Sequence, residues 1–304
     1  SADTLCAMIN HMVCDGTGFK EYLYLLAGLY TQCAGNTDYS TELACGPRDA
    51  RQLFSRFSLT ERLRIFFSDS GLSAQKDLMP YALQGDKANP FFVTLPVSRE
   101  ELTGAHTFAK AHGATLNDLF LTAYMRALSR VTGTGAVIIP CPVDLRKYLP
   151  QQHKHGICNL TGNLICSVKI AESEPFEQTL LNLSRQMKRQ KASTDCLKPV
   201  MTLELACRLL PFRLLRRAFF KAFTIPVVSY TNLGIVDSEQ LRFGDTGIDE
   251  VCLTGAVKYV PYFQIALSSF NGGSTLSCNL YGTRKDRADI AHFLAEVKQE
   301  LLLH

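Results

Sequence analysis

Two side chains near the start of the chain have the types and spacing for acid–base chemistry. His11 and Asp15 stand four residues apart, with Gly16 directly after the carboxylate. A neutral imidazole can take a proton from an alcohol, an amine or a thiol near pH 7. A carboxylate four residues on can hold the ring in one orientation, or it can pair with an arginine and brace the loop. Glycine at the next position permits a tight backbone turn. His-x-x-x-Asp is a weak pattern by itself, since a single histidine before a turn also serves structural ends. The surrounding elements therefore have to be read.

Residues 5–9 (Leu-Cys-Ala-Met-Ile) form an apolar run that predicts a buried strand. Residues 19–30 predict a helix, with Phe19, Leu23, Leu26 and Tyr30 recurring at helical spacing toward a core. His11 and Asp15 are thereby expected where a strand gives way to a helix. In α/β proteins, ligands and chemistry collect at such strand ends.

This combination, His-x-x-x-Asp-Gly between an apolar strand and an apolar helix, resembles the active-site motif of the chloramphenicol-acetyltransferase-like superfamily. That superfamily includes condensation domains of nonribosomal peptide synthetases, alcohol acyltransferases and wax ester synthases. Later stretches extend the resemblance in order over most of the chain. They are Ala114-Thr115-Leu116-Asn117-Asp118, Pro142-Val143-Asp144-Leu145-Arg146, Leu160-Thr161-Gly162-Asn163 and Thr231-Asn232-Leu233-Gly234. The resemblance implies an α/β, two-lobed sandwich, each lobe a sheet covered by helices, with a tunnel between them. Residues 1–90 would be the end of an N-terminal lobe, with a linker. Residues 91–304 would be the C-terminal lobe. A strand so close to Ser1 implies a preceding segment that completes the first lobe.

The same resemblance assigns roles. His11 matches the active-site histidine and Asp15 the structural aspartate, followed by Gly16. Arg146 is the expected ion-pair partner of Asp15, in a bidentate pair that fixes the turn aiming His11. Ser229 and Asn232 fall at a strand end near the tunnel, where they either donate to a carbonyl oxygen or line the wall. The implied reaction moves an acyl group from a thioester, of coenzyme A or of the phosphopantetheine arm of an acyl or peptidyl carrier protein, to an alcohol or amine. His11 would take the acceptor's proton and return it to the leaving thiolate. No permanently bound cofactor and no covalent acyl-enzyme are needed, so no cysteine has to be a nucleophile, Cys14 included. Many condensation domains carry a second histidine just before the first, and here that position is Asn10. This departure keeps open a second reading, a non-catalytic module that binds a carrier protein or acyl chain.

The rest of the chain alternates strands and helices. Residues 31–47 read as loop, 48–67 as one or two helices and 68–89 as linker. Residues 91–97 predict a strand. Ser98 with Glu101 makes a capping box for a helix ending at Gly113. A second helix starts from the Thr115–Asp118 segment and closes at Gly133. Strands follow at 136–143 and 160–168. The helix over 176–191 has a basic outer face of Arg185, Lys188, Arg189 and Lys191. Residues 200–223 are apolar yet carry Arg208, Arg213, Arg216, Arg217 and Lys221, with Pro211 expected to break or kink the helix. That basic stretch reads as a solvated flank, or as a dock for a phosphate-bearing donor. Apolar segments at 227–234, 251–260, 264–270 and 274–281 predict strands, with Asn271-Gly272-Gly273 as the tightest turn. A helix over 286–303 closes the chain.

Bulk properties narrow the class. The 304 residues are 46% hydrophobic and 20% charged, enough for a sizeable core in one large domain or two lobes. A net charge of +4 implies no general nucleic-acid surface. No apolar run reaches membrane-spanning length, and no signal peptide opens the chain. The 11 cysteines contain no Cys-x-x-Cys pair. Cys6, Cys166, Cys252 and Cys278 lie in apolar runs and read as small buried hydrophobes in a reducing, cytoplasmic setting. His153-x-His155 is the nearest thing to a metal pair and reads as solvated loop, so no metal site is expected. Asn159-Leu160-Thr161 matches a glycosylation acceptor, which a cytoplasmic setting makes moot.

Overall fold

A computed structural model describes residues 3–36, 47–68, 79–150, 156–171, 173–222 and 226–303. Most of the 31–47 loop, half of the 68–89 linker and the His153/His155 pair lie outside the described residues.

The largest sheet is built from the second half of the chain with one earlier strand. Its order is β1 (Pro90–Val97), β7 (Gly273–Tyr281), β6 (Phe263–Phe270), β4 (Val228–Ile235), with the short β5 (Lys258–Tyr259) pairing to β7. β1–β7 and β6–β7 run antiparallel, and β4–β6 runs parallel. β6 and β7 form a hairpin in which Phe270 faces Gly273 across a two-residue loop. Both loop residues take positive φ, Asn271 at 46° and Gly272 at 82°. This is the geometry whose twist matches that of the flanking strands, and it selects Asn-Gly.

A second pair, β2 (Ala136–Asp144) with β3 (Thr161–Lys169), is antiparallel and lies beside β4. The segment between β2 and β3 carries Asp144 to Arg146 and returns at Cys158. Both strands alternate buried and open positions, as one-sided burial requires.

Helices α3 (Arg99–Ala111), α4 (Leu116–Thr132), α5 (Phe176–Ala192) and α8 (Arg284–Leu302) cover these sheets. Their starts are set by local chemistry. Ser98 with Glu101, Thr115 with Asp118 and Thr283 with Asp286 each form a complete capping box. Gly133 closes α4 in the left-handed conformation. α4 is buried along most of its length because α5, α8 and β2 all pack on it.

The N-terminal part adds α1 (Gly16–Gly35), a 3-10 turn at Ala50–Phe54 and α2 (Leu59–Phe67). Leu23 and Ala27 of α1 make a small core of their own with Val236, Leu241 and Leu253. Leu53, Phe54 and Ile65 instead join the main core. α6 (Lys198–Leu209) and α7 (Phe212–Ala222) follow α5, and Pro211 separates them.

Several expectations need correction. Residues 5–9 are not a buried strand: the backbone there is irregular, and Leu5 and Met8 are exposed. An apolar run becomes a strand only where another strand offers hydrogen bonds, and none of the described strands pairs with it. Residues 251–260 form a strand only at Lys258–Tyr259, because β7 is already paired on both sides along most of its length. Tyr30 does not enter the core, although its ring meets Phe243 edge-on at 5.5 Å. Cys6 and Cys252 are exposed, whereas Cys166 and Cys278 are buried. Position within an apolar run fixes burial only when the run itself lies in a layer.

Candidate active site

The Asp15 carboxylate is the anchor of the site. It is the N-cap of α1: Oδ1 accepts from the Gly18 N–H at 2.8 Å. Oδ2 accepts from the Leu160 N–H at 2.7 Å and from the Thr161 hydroxyl at 3.3 Å. Arg146 Nη1 donates to both carboxylate oxygens, at 3.0 and 2.8 Å. The pair is therefore held through one guanidinium nitrogen rather than by the two-nitrogen fork expected from the sequence. The other nitrogen, Nη2, is spent on the Cys158 and Gly156 carbonyls at 2.9 and 3.2 Å. Arg146 Nη1 also reaches Asp144 Oδ1 at 3.2 Å. Both side chains are about 5% exposed, so this is an ion pair removed from water.

The electrostatics follow from that burial. Desolvation alone would raise the Asp15 carboxyl. The hydrogen bonds from Arg146 and the Gly18 N–H, the charge of Arg146 and the Leu160 N–H outweigh it and hold the group below the usual carboxylate range. Burial acts to lower the Arg146 guanidinium, but the bond and charge of Asp15, with Asp144 and Cys158 behind, raise it. Both groups stay ionised.

His11 sits in the turn just before this anchor. The Val13 N–H closes the turn on the Asn10 carbonyl at 2.8 Å, and the Asn10 side chain accepts from the Met12 N–H at 2.9 Å. Three further contacts hold the loop. Asn159 Nδ2 donates to the His11 carbonyl at 3.0 Å, Arg48 donates to the Val13 carbonyl at 2.7 Å, and the Asp15 N–H donates to the Cys158 carbonyl at 3.2 Å. His11 Nδ1 lies 3.1 Å from the Cys14 carbonyl oxygen. A carbonyl only accepts, so Nδ1 carries the proton in the neutral ring and Nε2 keeps its lone pair. The ring is exposed. The buried Cys14 thiol is pushed up chiefly by burial and then by Asp15, so it is a poor nucleophile.

Two glycines let the loop close. A Cβ at Gly18 would meet the Cys158 backbone oxygen at 2.8 Å and Cys14 Cβ at 2.9 Å. A Cβ at Gly16 would meet only the tip of the Leu233 side chain. Leu233 belongs to β4, and Lys20 of α1 donates to the Ile235 carbonyl at 3.1 Å. The carboxyl end of β4 thus abuts the start of α1.

A cleft of about 270 Å³ opens at that end of β4, walled by Leu116, Asn117, Asn232, Ile235, Leu267 and Phe270. Asn232 lies in its wall. Its amide donates to Asn117 Oδ1 at 2.8 Å, and its own oxygen accepts from the Gly234 N–H at 2.8 Å. Ser229 lies outside the cleft wall, with its hydroxyl 3.4 Å from the Phe263 carbonyl along the β4–β6 pair. His11 also lies outside that wall. Asp15 and Arg146 are brought together, His11 stands on the loop they brace, and Asn232 stands on β4 with its side chain in the cleft wall.

Sequence reading missed Arg48, Asn117, Asn159 and Gly18. Asn159 matches a glycosylation-acceptor pattern that the expected cytoplasmic setting makes moot, and in the structure its amide donates to the His11 carbonyl. Its contact spans residues far apart in the chain, for which no local pattern exists. Gly18 was visible in Gly16-Thr17-Gly18, where a second glycine inside a helix start is unusual. Among the described residues no cluster of His, Cys, Asp or Glu is placed to hold a metal ion, and no helix is long and apolar enough to cross a membrane.

No protein-family model and no curated relative matches the sequence. Solved structures do match. The epimerization domain from the third module of tyrocidine synthetase B superposes with a TM-score of 0.63 at 16% identity, over 96% of this chain and 67% of that one. The first condensation domain of the CDA synthetase gives 0.61 at 17%, over 97% and 62%. A trichothecene 15-O-acetyltransferase from Fusarium sporotrichioides gives 0.63 at 16%, over 95% and 64%. The chain therefore spans about two thirds of the length of these structures, and along that length it shares their mixed α/β fold.

Proposed function

We propose that the chain is, or belongs to, an acyltransferase that moves an acyl group from a thioester to an alcohol or amine, with His11 as general base. The observation that carries this is the state of the His11 ring. The Cys14 carbonyl holds Nδ1–H, leaving Nε2 to accept a proton, on a loop locked by the buried Asp15–Arg146 pair. The fold supports the same reading, because acyl transfer is named among the structures it superposes on.

In this mechanism Nε2 takes the acceptor's proton as its oxygen or nitrogen attacks the thioester carbonyl. The tetrahedral intermediate then collapses, the carbon–sulfur bond breaks, and the imidazolium returns the proton to the thiolate. Asp15 and Arg146 position the loop without touching the reacting atoms. Asn232, in the cleft wall, lines the acceptor or acyl path. The donor is acyl-coenzyme A or a phosphopantetheine thioester on an acyl or peptidyl carrier protein. It is a co-substrate, so no permanently bound cofactor is invoked.

The test uses the full-length natural protein with a panel of acyl-coenzyme A donors and simple alcohols or amines, following free thiol. His11→Ala should lower transfer ~10²–10⁴-fold with an unchanged circular dichroism spectrum. Equal turnover in that variant removes His11 from the chemistry. A second reading, a non-catalytic module that holds a carrier protein or acyl chain, is favoured by the open exposure of the His11 ring. Saturable binding of an acyl-loaded carrier with no thiol release in either variant would select it.

A further inference from the structure

One surface of the molecule is both cationic and apolar. On α7, Phe212, Arg216 and Phe220 follow one another at i, i+4 and i+8, so they stand in one row along the helix. Arg213 lies beside that row, and Arg217 is next around the helix. Phe212 is 75% exposed and Phe220 71%, and the Arg216 guanidinium sits 5.8 Å from the Phe220 ring centre. Leu214 is exposed too, as is Leu209 on α6 just before the Pro211 break. Among the described side chains of α7 only Leu215 is half-buried. The helix touches α6 and leaves its phenylalanines and arginines exposed. α6 in turn packs on α2, which exposes a second apolar row, Leu59, Leu63 and Phe67, again at i, i+4, i+8.

Charge selects the partner. No acidic residue occurs between Glu204 and Asp237, while α7 carries Arg213, Arg216, Arg217 and, in sequence, Lys221. A symmetric contact with a second copy would set these arginines against themselves. An anionic lipid surface meets both features at once. Aromatic rings enter the boundary between headgroups and acyl chains, and the arginine stems extend so that their heads stay at the phosphates. The helix is about 16 Å long, too short to span and suited to lying in the plane of the interface.

We propose that α7 is a peripheral membrane-docking helix whose partner is an anionic lipid bilayer. This stands whichever reaction the chain supports.

These 304 residues hold no tryptophan, so Phe212→Trp adds a reporter on α7, and its emission is read as the difference from the unsubstituted full-length protein. Phosphatidylglycerol–phosphatidylcholine vesicles should float the protein and shift the emission to the blue, and pure phosphatidylcholine vesicles should do neither. Raising salt should release it, because the attraction is screened within about 10 Å at 0.1 M. R213E/R216E/R217E should weaken binding about 100-fold or more while circular dichroism stays unchanged. Phe220→Ser, which keeps every charge, should weaken it as well. The proposal fails if anionic vesicles do not bind the protein, if neutral vesicles bind it equally, or if it floats with the emission unshifted. It also fails if the blue shift appears without lipid as protein concentration rises, which marks self-association. Binding of an acidic carrier protein through α7 with no vesicle binding overturns it equally.

Discussion

At the scale of single residues, Asp15 does more than any other side chain. It caps α1, ties the loop to Leu160 and Thr161, and neutralises Arg146 inside the protein. Asp15→Ala should cost ~3–5 kcal/mol, because it leaves a buried guanidinium without its partner. Thermal and denaturant unfolding will measure this, and an unaltered midpoint would show that the pair contributes nothing. The same carboxylate makes stability depend on acid. Its pKa is held below the ordinary value of about 3.9, so the folded state binds its proton later than the unfolded chain. Its contribution is complete above that ordinary value and is lost as pH falls through the depressed native one. Asp286, also depressed against the burial that would raise it, by the N–H groups of Gln84, Thr283 and Gly85, acts in the same direction. Denaturant midpoints taken from pH 6 down to pH 2 should fall most steeply below pH 4, and Asp15→Asn should flatten that slope. Gly18 is the other sensitive position. Gly18→Ala presses a methyl group onto the Cys158 backbone and should destabilise by ~1–3 kcal/mol, whereas Gly16→Ala needs only a shift of Leu233 and should cost less.

At the scale of elements, boundaries here are set by short polar signals and their positions by packing. Three capping boxes start α3, α4 and α8 where Ser98, Thr115 and Thr283 stand, and all three are written in adjacent residues. The β6–β7 hairpin is equally local. Asn271 at φ 46° and Gly272 at φ 82° define its loop. Asn271→Val places a β-branched residue in the left-handed region and should cost ~1–2 kcal/mol, while Asn271→Gly should be nearly neutral. Melting temperatures of the two variants provide the comparison, and equal losses would show that the turn does not depend on backbone conformation. The run at residues 5–9 shows the opposite case. Its composition is that of a strand, but a strand needs a neighbour, and none of the described strands supplies one.

At the scale of the whole molecule, the site is held by an assembly of distant segments. Phe293 on α8 is fully buried and meets Tyr81, Tyr124 and Phe263 at ring-centre distances of 6.2, 6.0 and 5.7 Å. It joins α8 to α4 and to the sheet, and Arg126–Glu300 ties the same two helices at 3.2 Å. Tyr124 continues the chain of contacts by donating to the Ser229 carbonyl on β4 at 3.3 Å. β4 is the strand whose end abuts the start of α1. Phe293→Ala should therefore cost ~3–5 kcal/mol as a single cooperative loss, read by coincident changes in near- and far-ultraviolet circular dichroism. Separate transitions would mean that the two sides of this core melt independently.

The sequence alone determined what depends on neighbours in the chain. The helix starts, the Asn-Gly hairpin, the alternating strands β2 and β3, and the His-x-x-x-Asp-Gly motif with its five-stretch order all follow from residue type at short spacing, because turns, caps and pleats are local. Only the tertiary structure decided the rest. It showed that Arg146 binds Asp15 through one nitrogen while the other takes the Cys158 and Gly156 carbonyls. It showed that Asn159 and Arg48 hold the His11 loop, that Ser229 stands outside the cleft that Asn232 lines, and that the 5–9 run is left open. Each of these depends on which surfaces meet across long stretches of chain. Burial and hydrogen-bond satisfaction are properties of the packed whole, and Asp15–Arg146 and His11–Asn159 join residues 131 and 148 positions apart.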